Sequence, residues 1–349
     1  MVDGSGKDGL DSFGAPSFAR AERRPFDVDD QGSESAASGA VAGVEVAIDA
    51  AGELRSTERL APLSKGLDTC GGEEALARLF AGQLQAARAV EAAIPRIDDA
   101  VDLAVASLSG GGRLVYLAAG SPALIALADA LEIPQTFSED PGRFITILAG
   151  GAEITTRFGG VAEDDAAAAR DAVAEAGIGP RDCVVAISAS GSTPFVVEGL
   201  AAARHAGAAS VAIANHAEAP ILRAADVAVL LDTGPEIVAG STRMGAGTAQ
   251  KIALNMLSTG IAIRRGHVHD GHMVSLRADN AKLRDRAVRM IGDCAGVSPG
   301  RAAEALAESG GAVKPAILLA AGTADLSDAE ARLARASGHL RDALGALEP

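Results

Sequence analysis

Tryptophan is missing from the sequence, there is a single tyrosine, and aromatic residues make up only 3% of its 349 positions. A core without large rings must be filled by alanine and aliphatic side chains, and hydrophobic residues do reach 48%;. Cysteine is scarce too: Cys70, Cys183 and Cys294 lie far apart with no CxxC pair. That spacing excludes a disulfide frame or a cysteine-paired zinc site and fits reduced thiols in a cytoplasmic protein. Positive charge is short, with 31 Lys and Arg against 46 Asp and Glu, a formal net charge of −15 and no dense basic stripe. Nucleic acid and anionic membrane surfaces are therefore excluded as main partners. No charged-then-apolar signal segment opens the chain, and no apolar run approaches the roughly 20 residues that span a bilayer. The expectation is a soluble, cytoplasmic protein.

Several nucleotide and hydrolase signatures are also wanting. There is no GxxxxGK[ST] loop, no GxGxxG after a strand and no GxSxG elbow, so nucleotide cofactors and a serine hydrolase have no support.

What is present is organised. Residues 1–55 are rich in Gly, Ser, Asp and Arg and read as a leader with too few apolar residues to fold, save a weak strand signal at "VEVAID" (Val44 to Asp49);. Beyond Ser56 come helical periods and then five short apolar runs, "RLVYLAAG", "FITILAG", "CVVAISAS", "SVAIANH" and "VAVLLDTG". Each is followed by Gly, Ser or Asn and a helical stretch. Parallel strands need crossover connections, so this alternation predicts an α/β fold, a parallel five-stranded sheet sandwiched by helices. One long helix is predicted from about Gly240 to Gly266 and another from about Gly271 to Cys294. Residues 56–296 are read as the sheet domain and 297–349 as a small helical subdomain.

The stretch "SASGST" closes the third apolar run and leads into a helix beginning near Thr193 or Pro194. It concentrates hydroxyls at Ser188, Ser190, Ser192 and Thr193 around Gly191. In a parallel sheet this is a carboxyl-end loop, and the N–H groups and dipole of the following helix favour an anion. A phosphate, on a sugar phosphate for example, suits neutral donors at that place; an ordinary Ser/Thr helix cap needs one hydroxyl. Acid–base candidates are carboxylates. Glu132 ends the helix after the first strand and Glu163 opens the helix after the second, both expected near the carboxyl edge, while Glu236 follows the fifth strand. His267, His269 and His272 in "HVHDGH" have no evident fourth ligand and read as a solvated cluster, so no metal is expected there.

Several stretches taken together resemble one family. They are "TERLAPLSKGLD" (Thr57 to Asp68), "SGGGRLVYLAAG", "SASGSTPFV", "GPEIVAGSTRMGAGTAQK" (Gly234 to Lys251), "LNMLSTG" and "DNAKLRDRA". The similarity is to the N-acetylmuramic acid 6-phosphate etherases, members of the sugar isomerase (SIS) superfamily, and it runs from about Ser56 to the C-terminus. The resemblance implies a SIS sandwich with N-terminal helices, a homodimer with sites near the subunit interface, and cleavage of a D-lactyl ether without cofactor. It aligns Glu132 and Glu163 with two family glutamates, implying Glu163 for the C2 proton and Glu132 for the leaving group. Ser121, Ser188, Ser190, Gly191, Ser192, Thr193, Glu236, Ser241 and Lys251 are implied as substrate- or phosphate-binding.

The chain departs from the family pattern where "AAGSPAL" (Ala118 to Leu124) stands for "GAGTSGR", where Ser192 stands for an arginine, and at Gly245 and "GGVAED". Two other functions are weighed against the etherase: a sugar-phosphate-binding regulator without turnover, like the glucokinase regulatory protein, and an aldose–ketose isomerase using Glu236 or a histidine as base.

Overall fold

The computed structural model describes residues 56–156, 159–345 and 347. The expected leader and the "VEVAID" strand lie outside them. Five apolar runs form the strands β1 (Leu114–Ala118), β2 (Phe144–Leu148), β3 (Cys183–Ile187), β4 (Ala209–Ala214) and β5 (Val227–Leu230). They pair in parallel in the order β2-β1-β3-β4-β5.

Side chains alternate across the sheet with the period of two that a strand imposes. Leu114, Tyr116 and Ala118 of β1 face one core, whereas Val115 and Leu117 face the other. The first core is closed by α2 (Ile94–Ser109), α3 (Ser121–Phe137) and α7 (Gly245–Arg264), the second by α4 (Ala166–Glu175), α5 (Pro194–His205) and α6 (Pro220–Ala224). Helix α1 (Gly72–Ala89) lies against α7. With so few aromatics, alanine does much of the packing: Ala123, Ala126, Ala249 and Ala253 are fully buried between α3 and α7. One polar network is sealed into that layer. Tyr116 donates to Asp129 at 2.8 Å, and Asn255 (2.6 Å) and Ser258 (3.1 Å) donate to the other carboxylate oxygen.

A third core, with Val274, Met290, Ile291, Leu306 and Ile317, joins α8 (Ala281–Ala295), α9 (Pro299–Glu308), α10 (Val313–Ala321), α11 (Leu326–Arg335) and α12 (Leu340–Gly345). Glu139, just past α3, ties it to the sheet layer. Its Oε1 accepts from Arg265 Nε at 2.8 Å and His267 Nε2 at 2.7 Å, while His267 Nδ1 pairs with the Ser275 hydroxyl at 2.7 Å.

Two helix starts differ from the sequence reading. The long helix begins at Gly245, not Gly240, because Gly240 adopts φ +75° and 240–244 form a turn-rich loop. The next begins at Ala281, capped by the Asn280 side chain on Leu283 N, because Gly271 (φ +80°) turns the short hairpin β6 (Val268–His269) and β7 (His272–Met273) instead.

Candidate active site

The strand order reverses between β1 and β3, so the loops leaving their carboxyl ends diverge and open a crevice, the usual ligand position in such sheets;. A cleft of about 210 Å³ lies there. Ser121 from the β1 loop, Ser188, Ser190 and Thr193 from the β3 loop, and Glu163 line it, together with Glu58 from the segment before α1 and Gly240 and Thr242 from the loop before α7.

The hydroxyl loop is built as a unit. Ser188 is buried; its Oγ pairs with Thr193 Oγ1 at 2.8 Å and accepts from Gly191 N at 3.0 Å. Ser190 stands 3.4 Å from Ser188 and 3.5 Å from Thr193. Gly191 adopts φ +66°, and a β-carbon there would collide with Ala219, so glycine alone fits the turn;. Pro194 opens α5, and the positive end of the helix sits beside the cluster;. Ser192 is turned onto Ser190, with its Oγ at 3.3 Å, and does not line the cleft.

Glu163 lies in a short turn, Gly160–Asp164, that leads into Asp165, whose side chain caps α4 by accepting from Ala168 N, and it is Glu163 that reaches the cleft. Its carboxylate lies over Gly120 (φ +67°), where Oε2 would be 2.8 Å from an added β-carbon. Burial first, then the neighbouring Asp164, raises the Glu163 carboxyl above its ordinary range. A chamber of about 500 Å³ adjoins the cleft on the far side of Gly120 and Glu163, lined by Ala149, Ile154, Val161, Ala162 and Glu153 among others.

Other residues named from sequence are elsewhere. Glu132 does not project at the carboxyl edge. Helix α3 runs back antiparallel to the strands, so eleven residues past Ser121 the chain has retreated about 16 Å along the helix axis. Glu132 stands exposed on the outer face of α3, in line with the exposed Leu124, Ala128 and Leu131. Glu236 is 4% exposed, and both its oxygens are taken: Oε2 accepts from Gly245 N and Oε1 from Ala246 N, each at 2.8 Å. It caps α7 and faces no cleft hydroxyl. Ser241 is absent from the lining although Gly240 and Thr242 flank it, and Lys251 is exposed on α7 beside a shallow apolar groove with Ile252, Met256 and Ile263.

The histidines are not a solvated cluster. His269 is buried, and the His267 side chain, 13% exposed, is held by Glu139 and Ser275 as described above. Among the described residues no group of His, Cys, Asp and Glu is arranged to hold a metal, and no helix is long and apolar enough to cross a membrane.

Sequence reasoning passed over Glu58, Gly240 and Thr242. The signal was there for Glu58, inside the "TERLAP" stretch, but nothing local ties it to a loop some 180 residues away.

A parallel sandwich with a hydroxyl loop after β3 defines a SIS-type sugar-phosphate protein, and residues 161–260 match the SIS domain model. Curated relatives narrow the class. A protein of Deinococcus radiodurans named N-acetylmuramic acid 6-phosphate etherase is 44% identical over 291 residues, covering 83% of this chain and 95% of its own. Etherases of Mycolicibacterium smegmatis (44% over 262 residues, 74% of this chain and 87% of the relative) and Serratia proteamaculans (39% over 283 residues, 81% and 95%) match comparably. The chain belongs to the N-acetylmuramic acid 6-phosphate etherase family.

Proposed function

We propose that the protein cleaves the D-lactyl ether of N-acetylmuramic acid 6-phosphate, giving N-acetylglucosamine 6-phosphate and D-lactate, as a cytoplasmic carbon–oxygen lyase of cell-wall sugar recycling. The observation that carries this reading is a carboxylate, Glu163, held over Gly120 in the same cleft as a preorganised hydroxyl loop. The hydroxyls of Ser188, Ser190 and Thr193, with the N-terminus of α5, suit the 6-phosphate. The adjoining chamber gives the lactyl and acetamido groups room.

In the open-chain sugar the C1 aldehyde acidifies the C2 proton. Glu163 takes that proton, the C2–H electrons form a C2=C3 double bond, and the C3–O bond breaks with its electron pair on the lactate oxygen, which must be protonated. Water then adds its oxygen to C3 and a proton returns to C2. The raised carboxyl of Glu163 suits a group that must hold the proton between the two half-reactions;. We assign the leaving-group proton to Glu132 of a second subunit. Its position outside its own chain's cleft supports this division, as does the apolar line of Leu124, Ala128 and Leu131 beside it, which a homodimer interface would cover;.

The test is incubation of purified protein with N-acetylmuramic acid 6-phosphate, following D-lactate. Release by the wild type and not by Glu163→Ala is expected; equal release by both would overturn the assignment of Glu163, and none by the wild type would overturn the activity. Analytical ultracentrifugation of wild type and Leu131→Glu checks the dimer. The variant is expected to shift towards monomer and lose turnover together.

A further inference from the structure

The cleft holds a second carboxylate that the reaction above does not use. Glu58 closes the short turn Ser56–Glu58, and its neighbour Thr57 is buried, with its carbonyl accepting from Gly240 N at 2.9 Å. A few residues on, Ser64 Oγ donates to the Ile237 carbonyl at 2.7 Å. The segment is thus sewn at two points onto the loop that precedes α7.

The Glu58 carboxylate lies over Gly240 much as Glu163 lies over Gly120. Its Oε2 would be 2.8 Å from a β-carbon on Gly240, which, like Gly120, has positive φ. Among the described residues no cation and no hydrogen-bond donor pairs with Glu58, yet it is half-buried and shares the cleft with Glu163. A half-buried carboxylate that lines a cleft and has no protein donor leaves its oxygens open to donors on a ligand;.

We infer that Glu58 is a substrate-binding residue whose carboxylate, standing at Gly240 while Glu163 stands at Gly120, accepts hydrogen bonds from hydroxyl groups on the sugar's carbon chain. It transfers no proton. The inference rests on reading the cleft as a sugar-phosphate site. It fits the chemistry of the cleft, in which hydroxyls of Ser188, Ser190 and Thr193 donate to the phosphate while an acceptor is needed for the hydroxyls between the phosphate and the reacting carbons. A carboxylate is the stronger acceptor for such donors, and removing it from a polar substrate costs about tenfold to a hundredfold in affinity.

The experiment compares wild type, Glu58→Ala, Glu58→Gln and Glu58→Asp by thermal shift with N-acetylglucosamine 6-phosphate and with inorganic phosphate, and by lactate-release kinetics. Glu58→Ala is expected to lose most of the shift given by the sugar phosphate, keep that given by inorganic phosphate, and raise KM at least tenfold with kcat changed by less than about threefold. Glu58→Gln, which keeps a neutral acceptor, is expected to fall between. An unchanged KM and an unchanged sugar-phosphate shift in Glu58→Ala would sink the proposal, as would a loss confined to kcat. If Glu58→Ala is unfolded, Glu58→Gln and Glu58→Asp carry the same comparison. A wild type that binds the sugar phosphate but releases no lactate removes the etherase reading and leaves the binding arm to judge Glu58. A wild type that does neither removes both.

Discussion

The Glu163 carboxylate occupies the space that a side chain on Gly120 would need, with Oε2 2.8 Å from the β-carbon position. Gly120 thereby sets where the Glu163 carboxylate stands. Gly120→Ala is expected to displace Glu163 and cut lactate release by at least about a hundredfold. Gly120 has φ 67° and ψ −151°, a region only glycine visits freely, so alanine adds roughly 1–3 kcal/mol of strain and a fall of several degrees in Tm;. Calorimetry separates the two effects: a Tm loss with full activity would show that the contact does not position the base.

The pH dependence follows from the same residue. Burial, and then Asp164, hold the Glu163 carboxyl above its ordinary range, so the ionised base accumulates only at higher pH than a free glutamate would require. The acid limb of kcat/KM is expected to have its midpoint above about 4.3, the ordinary glutamate value. Asp164→Asn is expected to move that limb towards lower pH, and a limb that stays put would remove Asp164 as a cause. For stability the sign is opposite. A raised carboxyl favours the folded state below its ordinary value and withdraws that contribution as pH rises through the folded one.

In the hydroxyl loop, Ser188 is the hub and Ser192 the periphery. Ser188→Ala leaves the Gly191 N–H without its acceptor in a buried turn and is expected to cost about 1–3 kcal/mol of stability, along with most of the thermal shift given by inorganic phosphate;. Ser192→Ala is expected to change both measurements little. The reverse ranking would place the phosphate elsewhere.

At the junction of the sheet layer and the C-terminal core, burial alone would raise the Glu139 carboxyl, but hydrogen bonds from His267 and Arg265 outweigh it and hold it at about 2. A depressed carboxyl contributes stability above its ordinary value of about 4.3, lost as pH falls towards about 2. Glu139→Gln is expected to lower Tm at pH 7 and to flatten its decline between pH 4 and pH 2. Parallel Tm curves for the two proteins would show that the ion pairs add nothing.

Much of this was legible in the chain. The five apolar runs are the five strands, and the serine-rich loop is the turn into α5, because strand period, glycine and Pro194 are local signals. What was not legible is tertiary. Glu236 looked like a site residue near a helix start, and only its fold-back onto Gly245 and Ala246 reveals a cap. Glu132 was expected at the carboxyl edge of the sheet, but the direction of α3 carries it away from its own cleft. His267 read as solvated because its partner Glu139 lies 128 residues away in sequence. Glu58 escaped notice for the same reason: the turn before α1 meets Gly240 only in the folded chain.

The cap on α7 has one more consequence. Glu236 already sits as the resident anion at that helix's N-terminus, so a phosphate approaching there would be repelled;. Helix α3 offers the cleft a single hydroxyl, Ser121, whereas α5 begins beneath three. With the substrate proposed above, the cleft would be directional, a keyed slot taking the sugar's phosphate tail towards β3 and its aldehyde head towards β1. An isomer phosphorylated at the opposite end would seat its anion equally well and bring the wrong carbons to Glu163, so that the helix the substrate does not use decides which way round it is read.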